Sequence, residues 1–433
     1  MRIKHIKMNT GERLPMLLDD NAVPDFWVTL YIGNLLRSRA QNTIEYALNV
    51  LRHLRAWEDY HERDLSQEFR NGRFLTNGDL QSIADHCAYK AVAFEKWAAR
   101  YNSRGNSTRA VSVDNLLAFK INAPLKTVQF DTQYNRITTV AGYLKFVAET
   151  VCRVRTDKRE SRDQINHMYN ELVRKRPKSN ANKGRGRYAH IPAASFRRFI
   201  EIAHLSHSDN PFRDGEARIR NQLIVWIAYE LGLRAGEILG LWVEDIEFGP
   251  RPTLSVVRRH NHPLDPREKQ LVAKTQGRTL PLSQELAYAL NHYILDDRSK
   301  HSYANNHPIL FVASQIPWEG HPLSYNSFDK IFKLITQVDP DRLADISAHA
   351  LRHDRACRFI DEIEAFNKAS RTNKKIKPIT DGEVERALMD YFGWTNPKSA
   401  AVYLKRRTRE RIDEAMRQFQ KDIFRSNNER GEE

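Results

Sequence analysis

Cysteine is scarce, with three in 433 residues. Cys87, Cys152 and Cys357 stand far apart and none belongs to a CxxC pair. A disulfide scaffold and a zinc–thiolate site are therefore disfavoured, and the thiols are expected to be reduced and buried. Long hydrophobic runs are missing as well. The most apolar window, Leu223 to Leu233, is too short to span a bilayer and contains Glu230. The opening stretch, MRIKHIKMNTGERLP, has no apolar core of signal-peptide length, so neither secretion nor a membrane partner is expected. Acidic residues are the minority, 54 against 69 Lys and Arg, a net charge of +15. Such an excess favours a polyanionic partner, nucleic acid before membrane, because lysine and arginine displace the counterions of phosphates. With 41% hydrophobic residues the chain can bury a core in each of two or three domains.

The apolar spacing divides the chain. Residues 1–23 hold Gly11, Pro15 and Asp19-Asp20 and read as an irregular segment. From Pro24 the spacing becomes helical: Phe26, Leu30, Ile32, Leu35 and Leu36 form one stripe, and Ile44, Leu48, Leu51, Leu54 and Trp57 a second. A third helix is expected from about 79 to 101, and a fourth begins near Asp131. Residues 24–155 thus read as a small helical domain. A basic linker is expected over 156–189, where Arg174, Lys175, Arg176, Lys178, Lys183, Arg185 and Arg187 crowd around helix-breaking Pro177, Gly184 and Gly186. It reads either as a strap across DNA phosphates or as a solvated tether. A second domain, 190–415, carries helices at 195–205, 214–231, 283–297, 325–337, 347–366, 381–392 and 397–424. Two strands, Thr253 to Arg259 and Gln270 to Leu282, flank the turn-rich HNHPLDPRE. Residues 416–433 read as a tail.

Four segments of that second domain carry candidate chemistry. In LGLRAGEILGL, Arg234 follows an apolar helix and Glu237 lies one turn on, so the pair can be structural or can orient a guanidinium toward a phosphate. In VAKTQGRTLPL, Lys274 precedes and Arg278 follows a glycine turn; a lysine there is solvated, or dips into a groove as a proton donor. In HALRH, His349 and Arg352 share a helix face and suit a phosphoryl group in transfer, while Leu351 points to the core. His349 and His353 have the spacing of a zinc pair, but Ala350 occupies the general-base position and no third ligand is evident. In the stretch from Phe392 to Arg406, Asn396 and Pro397 begin a helix that carries Tyr403, and Trp394 reads first as a core residue.

In their order and spacing these segments resemble the tyrosine recombinase/integrase family of phage-type integrases, over about 190–415. GLRxxE matches the first arginine box, HxLRH the second, and the GW…Y stretch the family's nucleophile segment. Trp394 replaces the histidine of most members, as in Cre-like ones. The resemblance implies a mainly α fold with a small antiparallel β-sheet. It also implies a two-domain DNA clamp, in which a helical core-binding (SAM-like) domain is joined to a catalytic domain. It implies catalytic roles for Arg234, Lys274, His349, Arg352 and Trp394, with Tyr403 as nucleophile. Lys269 is the second choice for the lysine, since it lies further from the turn. Glu237 and His353 would support this set, and Arg174, Lys175, Arg176, Lys178 and Arg278 would contact DNA. No metal or other cofactor is implied. The expected partners are double-stranded DNA bearing a specific site and three further copies of the chain, in a cytoplasmic, nucleoid-associated setting. The expected reaction is recombination or integration for a mobile element. A type IB topoisomerase-like relaxation and a non-catalytic DNA-binding role on the same fold are the alternatives. The long run 361–380 between the second arginine box and the tyrosine segment departs from the family pattern.

Overall fold

Residues 1–23, expected to be irregular, contain a β-hairpin. In the computed structural model, β1 (Arg2–Lys7) pairs antiparallel with β2 (Arg13–Leu18), and His5 lies opposite Pro15. Both strands are edges, which is where a proline is tolerated. Leu17 is fully buried in the first hydrophobic core, so the hairpin is part of that body and not a leader to it. The structure describes residues 1–105, 125–154, 157–178, 191–213, 215–271, 275–372 and 377–429. It divides into two units: Met1–Met8 with Glu12–Arg185, and Asn9–Gly11 with Gly186–Glu433.

The first unit is helical: α1 (Phe26–Tyr31), α2 (Gln41–Tyr60), α3 (Leu65–Arg70), α4 (Asn77–His86), α5 (Ala91–Gly105), α6 (Phe130–Val151) and α7 (Lys158–Arg174). Side chains close the helix starts: Asp25 accepts from the Val28 amide at 2.9 Å, Asp64 from Gln67 at 3.0 Å, and Thr76 with Asp79 forms a capping box. The core joins Leu48, Leu51 and Trp57 of α2 to Ile137, Val140 and Leu144 of α6. Arg55 ties three helices, donating to Asp25 at 2.8 Å and to the Tyr143 hydroxyl at 2.8 Å beside Glu58.

Two expectations fail here for physical reasons. The single helix from 79 to 101 is two helices, because the backbone at 88–90 pairs elsewhere: Lys90 N donates to Lys126 O and Val128 N to Ala88 O, both at 2.8 Å. The basic linker does not start at 156. Instead α7 buries Ile165, Met168 and Leu172 in the first core, a helical stripe of ordinary spacing. Arg174 pairs with Glu171, Lys175 donates to Gln81 at 2.9 Å, and Arg176 lies 4.6 Å over the Tyr134 ring. These three cations therefore belong to the helical unit. Lys178 is exposed just beyond it, and residues 179–190 lie outside the described residues.

The second unit is built on α8 (Ala193–Ala203), α9 (Gly215–Glu230), α10 (Ala235–Ile238), α11 (Gln284–His292), α12 (Tyr325–Thr336), α13 (Pro340–Leu343), α14 (Ala348–Thr372), α15 (Asp381–Phe392) and α16 (Pro397–Glu429). One antiparallel sheet runs in the order β3 (Ile246–Glu247), β4 (Thr253–Val256), β5 (Arg278–Pro281). The last two strands are shorter than expected because side chains, not a ladder, organise the intervening loop. Gln270 accepts from the Asn261 amide at 2.6 Å, Asp265 holds Arg267 at 2.7 Å, and Arg267 reaches Leu239 O at 2.8 Å. Helix α16 extends to Glu429, past the expected helix end at 424 and through residues 416–429 of the stretch read as a tail. The 361–380 run is mostly the far end of α14. It closes on itself where Asn367 exchanges hydrogen bonds with the Ile379 backbone at 2.7 and 2.8 Å. Among the described residues no helix is long and apolar enough to cross a membrane.

Candidate active site

The site is assembled around a buried carboxylate. Helix α9 ends against Gly232, whose φ of +63° turns the chain and leaves no room for a side chain beside Arg355 and Phe392. Leu233 enters the core and Arg234 opens α10. One turn later Glu237 folds back, accepting from the Arg234 amide at 3.1 Å. Its side chain is fully buried and meets Arg278 at 2.9 Å, the Thr275 hydroxyl at 2.6 Å, Arg234 at 3.4 Å and Arg352 at 3.7 Å. Burial acts most strongly on this carboxyl and raises its pKa. Arg278 and Arg352 outweigh that effect, so the group sits below the usual carboxylate range and is ionised. Three guanidinium groups around one carboxylate leave an excess of positive charge suited to a phosphate.

Arg352 comes from the opposite direction, on α14, just after the buried Ala350 and Leu351. It is 2% exposed and donates to Gly232 O and to Phe392 O, each at 2.8 Å. Its guanidinium lies 4.9 Å over the Phe392 ring and 5.7 Å from that of Trp394. Burial lowers its pKa to about 9; Glu237 opposes the fall, and Arg234 and Arg278 add to it. The group still carries its charge at neutral pH. His349 lies exposed three residues earlier, in the first turn of the same helix.

The tyrosine segment is set by a left-handed turn. Gly393, at φ +63°, caps α15, and a Cβ there would lie 2.9 Å from Gln276 O. Trp394, 7% exposed, is stacked between Phe392 (4.9 Å, 18°) and Tyr403 (5.3 Å, 11°). The Tyr403 ring also lies 4.9 Å from that of His353, whose Nδ1 is 3.8 Å from Cys357 Sγ. Tyr403 and Arg352 are close enough for each to influence the other's charge. Tyr391 points elsewhere: its hydroxyl sits 3.5 Å from Glu230 O and 3.3 Å from Arg355 Nε.

The structure thus gathers Arg234, Glu237, Arg352, His353, Trp394 and Tyr403 in one place. Lys274 lies outside the described residues, and Lys269 lies within the ordered loop before β5. Arg278 departs from expectation. It is not on the surface to meet DNA, because its side chain is 6% exposed and occupied by Glu237, Thr275 and Tyr391 O. Thr275 is the member to which sequence reasoning gave no role, although it lies inside the Lys274–Arg278 segment. Among the described residues no group of three or more His, Cys, Asp or Glu side chains is placed to share a metal ion.

Residues 198–363 match the phage integrase family. Transposase A from transposon Tn554 of Staphylococcus aureus is 28% identical over 144 residues, 33% of this chain and 37% of that protein. Tyrosine recombinase XerD of Halalkalibacterium halodurans is 26% identical over 144 residues, 33% of this chain and 41% of that protein. The matched stretch spans less than half the length of these curated relatives. Among solved structures, the XerH site-specific recombinase in its post-cleavage complex with palindromic difH substrate has a TM-score of 0.50 and 14% identity. It covers 90% of this chain and 93% of that one, a likeness of fold.

Proposed function

Since residues 198–363 form a phage integrase family domain, we propose that this chain is a site-specific DNA recombinase that cuts and rejoins DNA through a 3′-phosphotyrosine intermediate. The observation that carries this reading is Tyr403, stacked on Trp394 and beside His353, within the electrostatic reach of Arg352. In the proposed reaction the Tyr403 oxygen bonds to phosphorus and the bond to the 5′ oxygen breaks. The departing oxygen takes a proton from Lys274, and the energy of the broken bond is kept for rejoining. Arg234 and Arg352 stabilise the added negative charge, and His349 orients the phosphate and takes part in moving the tyrosine proton. Trp394 fixes the plane of the Tyr403 ring and presents its indole N–H to a phosphate oxygen. Two arginines supply the charge that a divalent metal supplies in other phosphoryl transfers, so neither metal nor ATP is required.

The partner in this reading is a duplex with a specific site, engaged by four copies of the chain. Arg174, Lys175, Arg176 and Lys178 contact its phosphates. The similarity to a transposon's transposase favours a mobile-element task. The test is direct. A duplex selected from a randomised pool by its affinity for the chain is nicked near the selected core, so that the cleaved fragment escapes. The wild-type chain should accumulate an SDS-resistant protein–DNA adduct, and Tyr403→Phe should bind equally well and form none. An adduct in the Phe variant would move the nucleophile elsewhere, with Tyr391 tested next. Binding without any adduct would leave a non-catalytic DNA-binding protein.

A further inference from the structure

Arg278 sits where three parts of the site meet. Its Nε donates to Tyr391 O at 2.7 Å, its Nη1 to Thr275 Oγ1 at 3.1 Å and its Nη2 to Glu237 Oε2 at 2.9 Å. The first contact is to the end of α15, the second to the segment preceding β5, and the third to the carboxylate that also faces Arg234 and Arg352. The end of α15 is held in an unusually complete way. Its three consecutive terminal carbonyls, of Tyr391, Phe392 and Gly393, accept from Arg278, from Arg352 at 2.8 Å and from the Gln276 amide at 3.2 Å. A helix end leaves such carbonyls without intrahelical partners, and two cations there also oppose the negative end of the helix dipole. The turn so held is the one that aims Trp394 and leads into the helix of Tyr403.

We propose that Arg278 is a positioning residue, a latch that sets the tyrosine segment in register with the arginine pair, and that Thr275 is its partner on the β5 side. The proposal rests on the recombinase reading above and deepens it. Arg278 touches no DNA in this account. It acts through Glu237 on the guanidinium groups and through Tyr391 O on the turn before Tyr403. A planar fork with three separately directed N–H groups is needed to hold those partners at once, which a lysine ammonium does not provide.

The experiment uses the full chain, pre-bound to the affinity-selected nicked duplex. Arg278→Gln should bind with an affinity within about twofold of wild type and an unchanged salt slope, where loss of a phosphate contact would remove about 0.9 from that slope. Adduct formation by the bound protein should nevertheless slow by about a hundredfold, the scale of a misplaced reacting group. Arg278→Lys keeps a positive charge beside Glu237 and guards against a folding defect; it should bind normally and remain slow. A fall in affinity with a flattened slope would make Arg278 a phosphate contact and overturn the proposal. Full adduct formation in the lysine variant would also overturn it, since charge without the fork would then suffice. If the wild-type chain forms no adduct, the recombinase reading itself fails. If wild type and Arg278→Gln form adduct at the same rate, only the positioning role fails.

Discussion

Glu237→Gln tests how the site is held in the free chain. The amide has the shape of the carboxylate and can keep most of its hydrogen bonds. Oε1 can accept from Arg278 and from the Arg234 amide, while Nε2 turns toward Thr275, whose hydroxyl then accepts. What disappears is, among the described residues, the one negative charge paired with these three arginines. Arg234 is 34% exposed and loses little, because water screens it. Arg352 is 2% exposed and Arg278 6%, so both become buried cations without a counter-charge. Breaking a buried pair from one side costs about 3–5 kcal/mol, and the retained hydrogen bonds favour the lower end. For a unit of this size, about 3 kcal/mol lowers the thermal midpoint by about 6–12 °C. A phosphate bound between the arginines would restore negative charge, so saturating DNA should narrow the gap between variant and wild type. Scanning calorimetry of the full chain, with and without the selected duplex, reads both effects. A midpoint within about 2 °C of wild type, below about 1 kcal/mol, would refute the reasoning, as would a gap that DNA widens.

Gly393→Ala should be doubly penalised. A Cβ at φ +63° costs about 1–2 kcal/mol in backbone strain, and its 2.9 Å approach to Gln276 O and to Thr275 Cβ adds overpacking of about 1–3 kcal/mol. A variant as heat-stable as wild type would contradict the turn described here. In the first unit, His53 and His86 stack at 3.8 Å, each Nε2 on the other's backbone carbonyl. Burial, aided by Arg136, lowers His53 from 6.5 to about 4, and burial with His53 itself lowers His86 to about 3. Both folded values lie below the unfolded one, so protons favour the unfolded chain. The stability is complete above pH 6.5 and is lost as pH falls toward 4, by at most about 3 kcal/mol for His53. Urea midpoints at pH 7 and pH 5 should differ less in His53→Gln than in wild type; equal differences would sink the assignment.

What was legible in the sequence was mostly periodic or local. The stripes of Leu48, Leu51 and Leu54 and of Ile137, Val140 and Leu144 announce helices because burial itself has the helical period. Arg234, Arg352, Trp394 and Tyr403 stood out because each sits in a short recognisable run of residues. The hairpin at the start was hidden by Gly11 and Pro15, which read as breakers although one lies in the turn and the other in an edge strand. The break at 88–90 carries no glycine or proline, because its cause is a pairing with residues 126–128. Helix α7 did carry a stripe, Ile165, Met168 and Leu172, but the basic residues that follow drew the eye to a linker. Arg278 was misread for the most general reason. A sequence shows a cation beside a turn, but not that a carbonyl 113 residues later, at Tyr391, will close over it.

The self-closing run between α14 and α15 bears on how such a chain can grow. The Tyr391–Gly393 turn is anchored to Arg278, Arg352 and Gln276 and capped on the end of α15, all outside the 367–379 excursion. The Asn367–Ile379 clasp shuts the excursion off upstream of α15. The contour length between the second arginine segment and the tyrosine segment is thereby uncoupled from the geometry of the site. Closing a longer loop adds only about 0.6 kcal/mol per doubling. Sequence added between Asn367 and Ile379 should therefore leave the arrangement of Arg278, Arg352 and Trp394 unchanged.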